Sequence, residues 1–515
     1  MSKNSDEKIK RIVIVGGGTA GWIAAAGLSS LYKSDDLSIR LVKSEAIGTV
    51  GVGEATVPHI RHFNVKLGID ERDFMQKTSA TFKLGIEFCD WNRKGQSYVH
   101  PFGAYGEPVG GVGFHHHWVR MRKRGDTRSI DDFSLPVKMS HMARFAMPSQ
   151  DRRAVKSTFS YAYQFDAGLY AAYLRAYAEA RGVVRTEGRI TGVNQNAETG
   201  FVEAVVLESG EVVEGDLFID ASGFRGLLIE QTLKSGYETW GHWLQCDRAW
   251  AVPCEANSTN TPYTRATARD AGWQWRIPLQ HRVGNGYVFS SSFLSEDAAR
   301  ATLMAKLEGP AQAEPKMLSF TTGVRKQQWN KNVVAIGLAS GFLEPLKSTS
   351  IHLIQLAVTN LVEMLPDMRF CDDDRDEFNR IMHLEYERVR DFLILHYHAT
   401  ERDDTPFWDY CRTMTIPNSL AYKMTLFRER GVIVNYRDGF FLEPSWLAVY
   451  IGQGVIPRDY DPLSERISDQ ALARYMADYA GKVSSAVQAM PSHAAFLEQY
   501  CPSAVVSRRA TAGVV

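Results

Sequence analysis

The stretch Arg11-Ile12-Val13-Ile14-Val15-Gly16-Gly17-Gly18-Thr19-Ala20-Gly21-Trp22 decides the fold class. A short apolar run ends in a glycine-rich turn, and small and apolar residues continue from Trp22 to Leu31 in a helical pattern. A second apolar run, Leu37 to Val42, completes a β-α-β unit. Gly16, Gly18 and Gly21 form G-x-G-x-x-G between strand and helix. The first glycine permits the tight turn, the second lets a pyrophosphate reach the backbone, and the third packs helix on strand. The helix N-terminus then faces the phosphates. This segment is a dinucleotide site.

Further strand-like runs are Val202 to Val206, Leu217 to Ile219, Tyr287 to Phe289 and Val333 to Ile336. Helical patterns cover Ala167 to Arg181, Ile351 to Met364 and Asp376 to Tyr397, and the chain beyond about residue 366 reads mostly helical. An α/β nucleotide-binding body carrying a helical second lobe follows. The 515 residues are 44% hydrophobic, enough for a large core. Lys+Arg and Asp+Glu tie at 59 each, so no global charge favours nucleic acid or an acidic membrane surface. No run approaches the ~18 to 20 apolar residues of a membrane helix. The start lacks a signal peptide's h-region, and a cytoplasmic location is expected. The six cysteines are scattered without C-x-x-C, and His115, His116 and His117 point different ways, so no metal is expected.

At the end of the second strand, where an acidic residue usually meets the adenosine ribose, stands Lys43, with Glu45 two residues later. A lysine there suits a 2′-phosphate and leaves NADP open on this feature alone. The later strand ending Asp220-Ala221-Ser222-Gly223 resembles the second nucleotide contact of large FAD-dependent oxidoreductases, so FAD is the expected cofactor.

Four more segments sharpen this: Gly51-Val52-Gly53-Glu54-Ala55-Thr56-Val57-Pro58, Trp273-Gln274-Trp275-Arg276-Ile277-Pro278, Phe342-Leu343-Glu344-Pro345-Leu346-Lys347-Ser348-Thr349-Ser350-Ile351, and Arg402-Asp403-Asp404-Thr405-Pro406-Phe407-Trp408. With the glycine motif they resemble the flavin-dependent halogenases of the tryptophan-halogenase type, from the N-terminus to at least Trp446. W-x-W-x-I-P separates that family from related flavin hydroxylases. The resemblance implies a Rossmann-like FAD-binding box of the flavin monooxygenase type with an α-helical pyramid over the substrate. The box is expected in residues 1–100, 155–235 and 320–365, and the substrate part in 101–154, 236–319 and 366–515. Reduced FAD would come from a separate NAD(P)H-dependent flavin reductase. With O2 it would convert halide to hypohalous acid, which travels through a tunnel to a lysine beside a small aromatic substrate. A homodimer is compatible with this reading.

By the same resemblance the lysine is Lys83. It is the sole cation among Phe82, Leu84, Ile86 and Phe88, where an ordinary lysine is costly to bury. A neutral amine there forms a haloamine, whereas an ammonium polarises hypohalous acid; the sequence leaves both open, beside a lysine snorkelling from a half-exposed strand. Expected flavin contacts are Gly16, Gly18, Thr19, Ala20, Gly21, Glu54, Ala55, Ile190, Asp220, Gly223, Leu338 and Ile351. Halide, bromide or chloride, is expected near Ser348, Thr349 and Ser350, where backbone N–H groups and a hydroxyl suit an anion. The family usually has Gly at Ser350, and Glu at Lys347, so either Glu344 or Glu87 substitutes or the carboxylate is dispensable. His100 and Phe102 are expected on one face of the substrate and Phe440 and Phe441, with Trp446, on the other; Lys347 adjoins them. Leu426 to Tyr436 holds one tyrosine and looks too short to grip an amino acid, which points to free indole or an indole derivative.

Two rivals remain at this stage. A single-component flavin hydroxylase needs a Gly-Asp motif after the Val333–Ile336 strand, and Gly337-Leu338-Ala339-Ser340 lacks that Asp. A non-catalytic flavoprotein has no use for Lys83 beside W-x-W-x-I-P.

Overall fold

The structure, a computed structural model, describes residues 8–32, 37–45, 53–256, 260–434 and 439–503. Gly51 and Val52 of the second motif, and Asn435 and Tyr436, lie outside the described residues.

Arg11–Val15 is the centre of a six-stranded sheet. Its order is Trp329–Asn330, Val333–Ala335, Leu217–Asp220, Arg11–Val15, Ser38–Lys43, Val184–Glu187. All pair in parallel except the short Trp329–Asn330 edge. Ile12, Val13, Ile14 and Val15 are all buried, as a parallel strand covered on both faces requires. The helix Thr19–Leu31 starts three residues earlier than its apolar pattern, because Gly18 already serves as N-cap.

A seven-stranded sheet runs Lys316–Ser319, Arg248–Cys254, Val283–Phe289, Gly272–Pro278, Thr264–Arg269, Gly85–Cys89, Ser97–Pro101. Its last two strands continue it across the division expected at residue 100. A small sheet joins the two: Ala162–Asp166 pairs with Gly53–Ala55 on one side and Thr81–Lys83 on the other. Lys83 and the Gly53-Glu54-Ala55 motif thus lie in one sheet, though they are far apart in sequence.

Beyond residue 366 the described elements are helices, the longest being Asp372–His398. Asp372, Asp373 and Asp374 in its first turn complement the helix dipole, which extends it four residues ahead of its apolar pattern. Among the described residues, no helix is long and apolar enough to cross a membrane.

Candidate active site

One cavity of about 320 Å³ lies between the two large sheets. Gly18, Thr19, Ala20, Glu54, Ala55, Gly223, Leu338 and Ile351 all line it, as expected of a common cofactor site. The glycine cradle is forced. Gly16 has φ +113°, and a Cβ there would sit 2.3 Å from the Ala221 carbonyl oxygen. A Cβ at Gly21 would fall 1.9 Å from the Gly16 carbonyl oxygen. No side chain caps the helix at Gly18, so its first N–H groups are available to a pyrophosphate. These residues fit a bound FAD.

Two expected contacts are placed elsewhere. Asp220 does not line the cavity: its carboxylate accepts from the backbone N–H groups of Ser222, Leu228 and Ile229 and from the Ser222 hydroxyl. It shapes the turn that presents Gly223. Ile190 packs against the apolar cluster behind the first sheet, away from this cavity. At the ribose position, the Lys43 side chain lies against Gly17, and Glu45 pairs with Arg185.

W-x-W-x-I-P builds the opposite wall. Trp273, Trp275 and Ile277 alternate along one strand and all face the cavity. The neighbouring strand puts Val288, Gly286 and Gly284 opposite them, and a Cβ at Gly286 would strike the Trp275 ring at 2.0 Å. Trp273 Nε1 also donates to Glu344 Oε2 at 3.0 Å, and Tyr397 Oη donates to the same oxygen at 2.8 Å. Burial pushes the Glu344 carboxyl up from an ordinary 4.5 to about 7, against the opposing pull of those two donors. The folded state therefore holds a proton that the unfolded chain loses first. Stability from this group falls as pH rises from about 4.5 through about 7. Glu344→Gln, whose amide oxygen still accepts both donors, is expected to raise the melting temperature relative to wild type at pH 8 but not at pH 4. Paired thermal melts check this.

Lys83 is fully buried. Its Nζ donates to the Thr56 carbonyl oxygen and to Ser348 Oγ, each at 2.9 Å, and lies 5.3 Å from the centre of the Phe102 ring. The snorkelling alternative is excluded by that burial. Burial holds its pKa well below the ordinary lysine range. A neutral amine has two N–H bonds and one lone pair. The two contacts satisfy the N–H bonds and leave the lone pair as a nucleophile.

Ser348 links amine and cavity. It lines the cavity and adopts φ +57°, a left-handed turn that ends Pro345–Lys347 and starts the helix Ser350–Glu363. Thr349 precedes that helix with its Oγ1 buried and, among the described residues, without a hydrogen-bond partner, and Ser350 lines the cavity.

Around the two lysines gathers an aromatic cluster whose centre sequence reading missed. Phe392 stacks on Phe441 at 4.0 Å and meets Trp446 at 5.0 Å and His100 at 6.1 Å, edge to face. It sits in a long amphipathic helix, where its spacing marks only a core position. Phe102 lies 6.2 Å from His100. Phe440 lies 4.5 Å from Phe441, edge to face, and stacks on His352 at 3.9 Å. Lys347 Nζ shares a hydrogen bond of 2.6 Å with His100 Nδ1. Neither expected substitute carboxylate reaches the lysines: Glu87 pairs with Arg265 at 2.7 Å, and Glu344 is held by Trp273 and Tyr397.

Residues 11–469 match the family model described as tryptophan halogenase. The chain belongs to the tryptophan halogenase family. It resembles the solved flavin-dependent halogenase BrvH from Brevundimonas sp. BAL3, with 47% identity, TM-score 0.93, and coverage of 96% of this chain and 100% of that one. It is also similar to Xcc4156, a flavin-dependent halogenase from Xanthomonas campestris, at 45% identity and TM-score 0.93, covering 96% and 99%. Among curated relatives, 7-chloro-L-tryptophan 6-halogenase KtzR of Kutzneria sp. (strain 744) is 35% identical over 94% of this chain and 98% of its own. The fold and the reduced-flavin, halide-dependent halogenation of an aromatic follow for this halogenase. When bound, the flavin would supply the redox chemistry through which halide becomes an electrophile. Gly21→Ala in this halogenase is expected to weaken FAD binding at least about tenfold, a loss of ~1.4 kcal/mol, because its Cβ meets rigid backbone; flavin fluorescence titration measures it.

Proposed function

We propose that this chain is a two-component halogenase, using FADH2 from a separate flavin reductase, O2 and bromide or chloride to halogenate free indole or a simple indole derivative. The observation that carries it is Lys83. A buried amine that donates to Thr56 and Ser348 stands between the cofactor cavity, through Ser348, and an aromatic cluster, and in its neutral form it keeps a free lone pair. Hypohalous acid leaving the cavity meets that lone pair before it meets bulk water. The amine then transfers the halogen to a ring held among Phe102, His100, Phe441 and Trp446.

Halide is proposed at the start of the Ser350–Glu363 helix, where the buried Thr349 hydroxyl has no other partner among the described residues and the backbone N–H groups are uncapped. Ser350 in place of the usual glycine alters that pocket. Bromide is easier to dehydrate and to oxidise than chloride. Competition at equal halide concentrations is expected to give at least as much brominated as chlorinated product, and mainly chlorinated product would contradict it.

The deciding experiment is product mass spectrometry with each halide, a flavin reductase and a panel of indoles. FAD and NADPH without the reductase should leave NADPH unconsumed. NADPH oxidation under those conditions would favour the hydroxylase instead.

A further inference from the structure

Electrophilic halogenation leaves a proton on the ring carbon, and something must take it. Lys347 stands where the family usually has a glutamate, and among the described residues no carboxylate is hydrogen-bonded to Lys83 or Lys347. Lys347 is itself fully enclosed, with Nζ 4.7 Å from the Phe88 ring centre and 5.1 Å from that of Phe392. Among the described residues, its Nζ is hydrogen-bonded to His100 Nδ1. The other ring nitrogen, His100 Nε2, is buried and has no partner among the described residues, in a ring flanked by Phe102 and Phe392.

We propose that His100 and Lys347 act together as the base that removes the ring proton during halogenation: His100 is the catalytic residue that takes it, and Lys347 is the positioning residue that sets the imidazole tautomer. This rests on the halogenase reading above. With Lys347 as a neutral amine, its lone pair accepts the Nδ1–H, and Nε2 presents a lone pair to the substrate. Hypohalous acid and the Lys83 amine have by then given a haloamine and water; its N–X bond breaks as the carbon–halogen bond forms. The ring C–H electron pair then returns to the ring, and the proton goes to Nε2. Nδ1 keeps its proton in the hydrogen bond to Lys347 Nζ, and the proton on Nε2 then passes to Lys83 Nζ, which restores the Lys83 amine and the starting tautomer of His100. The sum is hypohalous acid plus arene giving haloarene plus water. An arenium ion is a strong acid, so a neutral imidazole suffices as base.

The charged and titratable groups facing His100 are Lys347, Lys83 and His396. Burial first, then those three cations-in-waiting, hold the His100 pKa well below the ordinary histidine range. Lys347 is lowered likewise, by burial and then by Lys83. Both shifts favour the neutral forms on which the step depends.

The test compares Lys347→Met, Lys347→Glu and His100→Gln in the FAD-loaded protein, with indole and ring-deuterated indole in single turnovers. Lys347→Met and His100→Gln are expected to lose about 100-fold in halogenation rate, the lower end for a general base, and to gain a primary isotope effect that wild type lacks. FAD binding and flavin reoxidation should be unchanged. Lys347→Glu should recover most of the rate, since a carboxylate also accepts the Nδ1–H. Its acid limb should shift to higher pH, because an adjacent carboxylate raises the imidazole pKa. Wild-type rates in Lys347→Met and His100→Gln would overturn the proposal. So would equal loss in Lys347→Met and Lys347→Glu without an isotope effect, which marks a packing role. A wild-type protein that halogenates no arene would instead overturn the functional reading itself.

Discussion

Lys83→Met is expected to abolish enzymatic halogenation, by at least ~1,000-fold, as loss of an activated nucleophile does, while flavin binding and reoxidation continue. The argument is geometric. Lys83 is not among the residues lining the cofactor cavity and touches it only through Ser348. Its removal therefore leaves the flavin's surroundings intact and removes the last stop of the electrophile. Met fills nearly the same volume and needs no hydrogen bonds, so the fold is not at risk. A buried amine replaced by an apolar chain of similar shape is often neutral or stabilising, and the melting temperature should hold or rise. The readouts are flavin absorbance during reoxidation and product by mass spectrometry. Product from Lys83→Met above the level given by free hypohalous acid would refute the assignment.

Free indole is expected to be turned over at least ~100-fold better in kcat/KM than L-tryptophan, about 2.7 kcal/mol. Aromatic walls recognise a ring but are blind to its substituent, contributing ~0.5 to 1.5 kcal/mol per aromatic pair beyond area burial. A zwitterion needs charged or hydrogen-bonding partners, and without them its desolvation costs on the order of several kcal/mol. None of the charged groups considered for that role is both buried at the cluster and unengaged. Arg428 is exposed, Glu429 pairs with Arg458 at 2.8 Å, and Lys423, 5.1 Å from the Trp446 ring centre, lies 3.9 Å from Asp391. Steady-state kinetics with both substrates decide it, and a preference for tryptophan would refute the idea.

The sequence by itself determined the nucleotide-binding body and many of the residues that line its cavity. Gly16 and Gly21 are readable because each answers a local demand, a left-handed turn and a helix start against the preceding strand, within a few residues. Lys83 was legible through the family resemblance, with one cation in an apolar run as its physical support. W-x-W-x-I-P was legible as a pattern, since strand alternation puts Trp273, Trp275 and Ile277 on one face.

Only the tertiary structure decided what meets across the chain. It showed that the glycines opposite Trp275 and Ile277 make room for the wall, and that Trp273 is tied to Glu344. It gave Asp220 to a turn, turned Phe440 toward His352, and put Phe392 at the centre of the aromatic cluster. It also joined Lys347 to His100, 247 residues away. The physical reason is range. Local conformation is dictated by neighbours in sequence, whereas burial and hydrogen-bond partners are dictated by whichever strand or helix packs alongside. A lysine, a carboxylate or a phenylalanine carries no mark of which partner that will be.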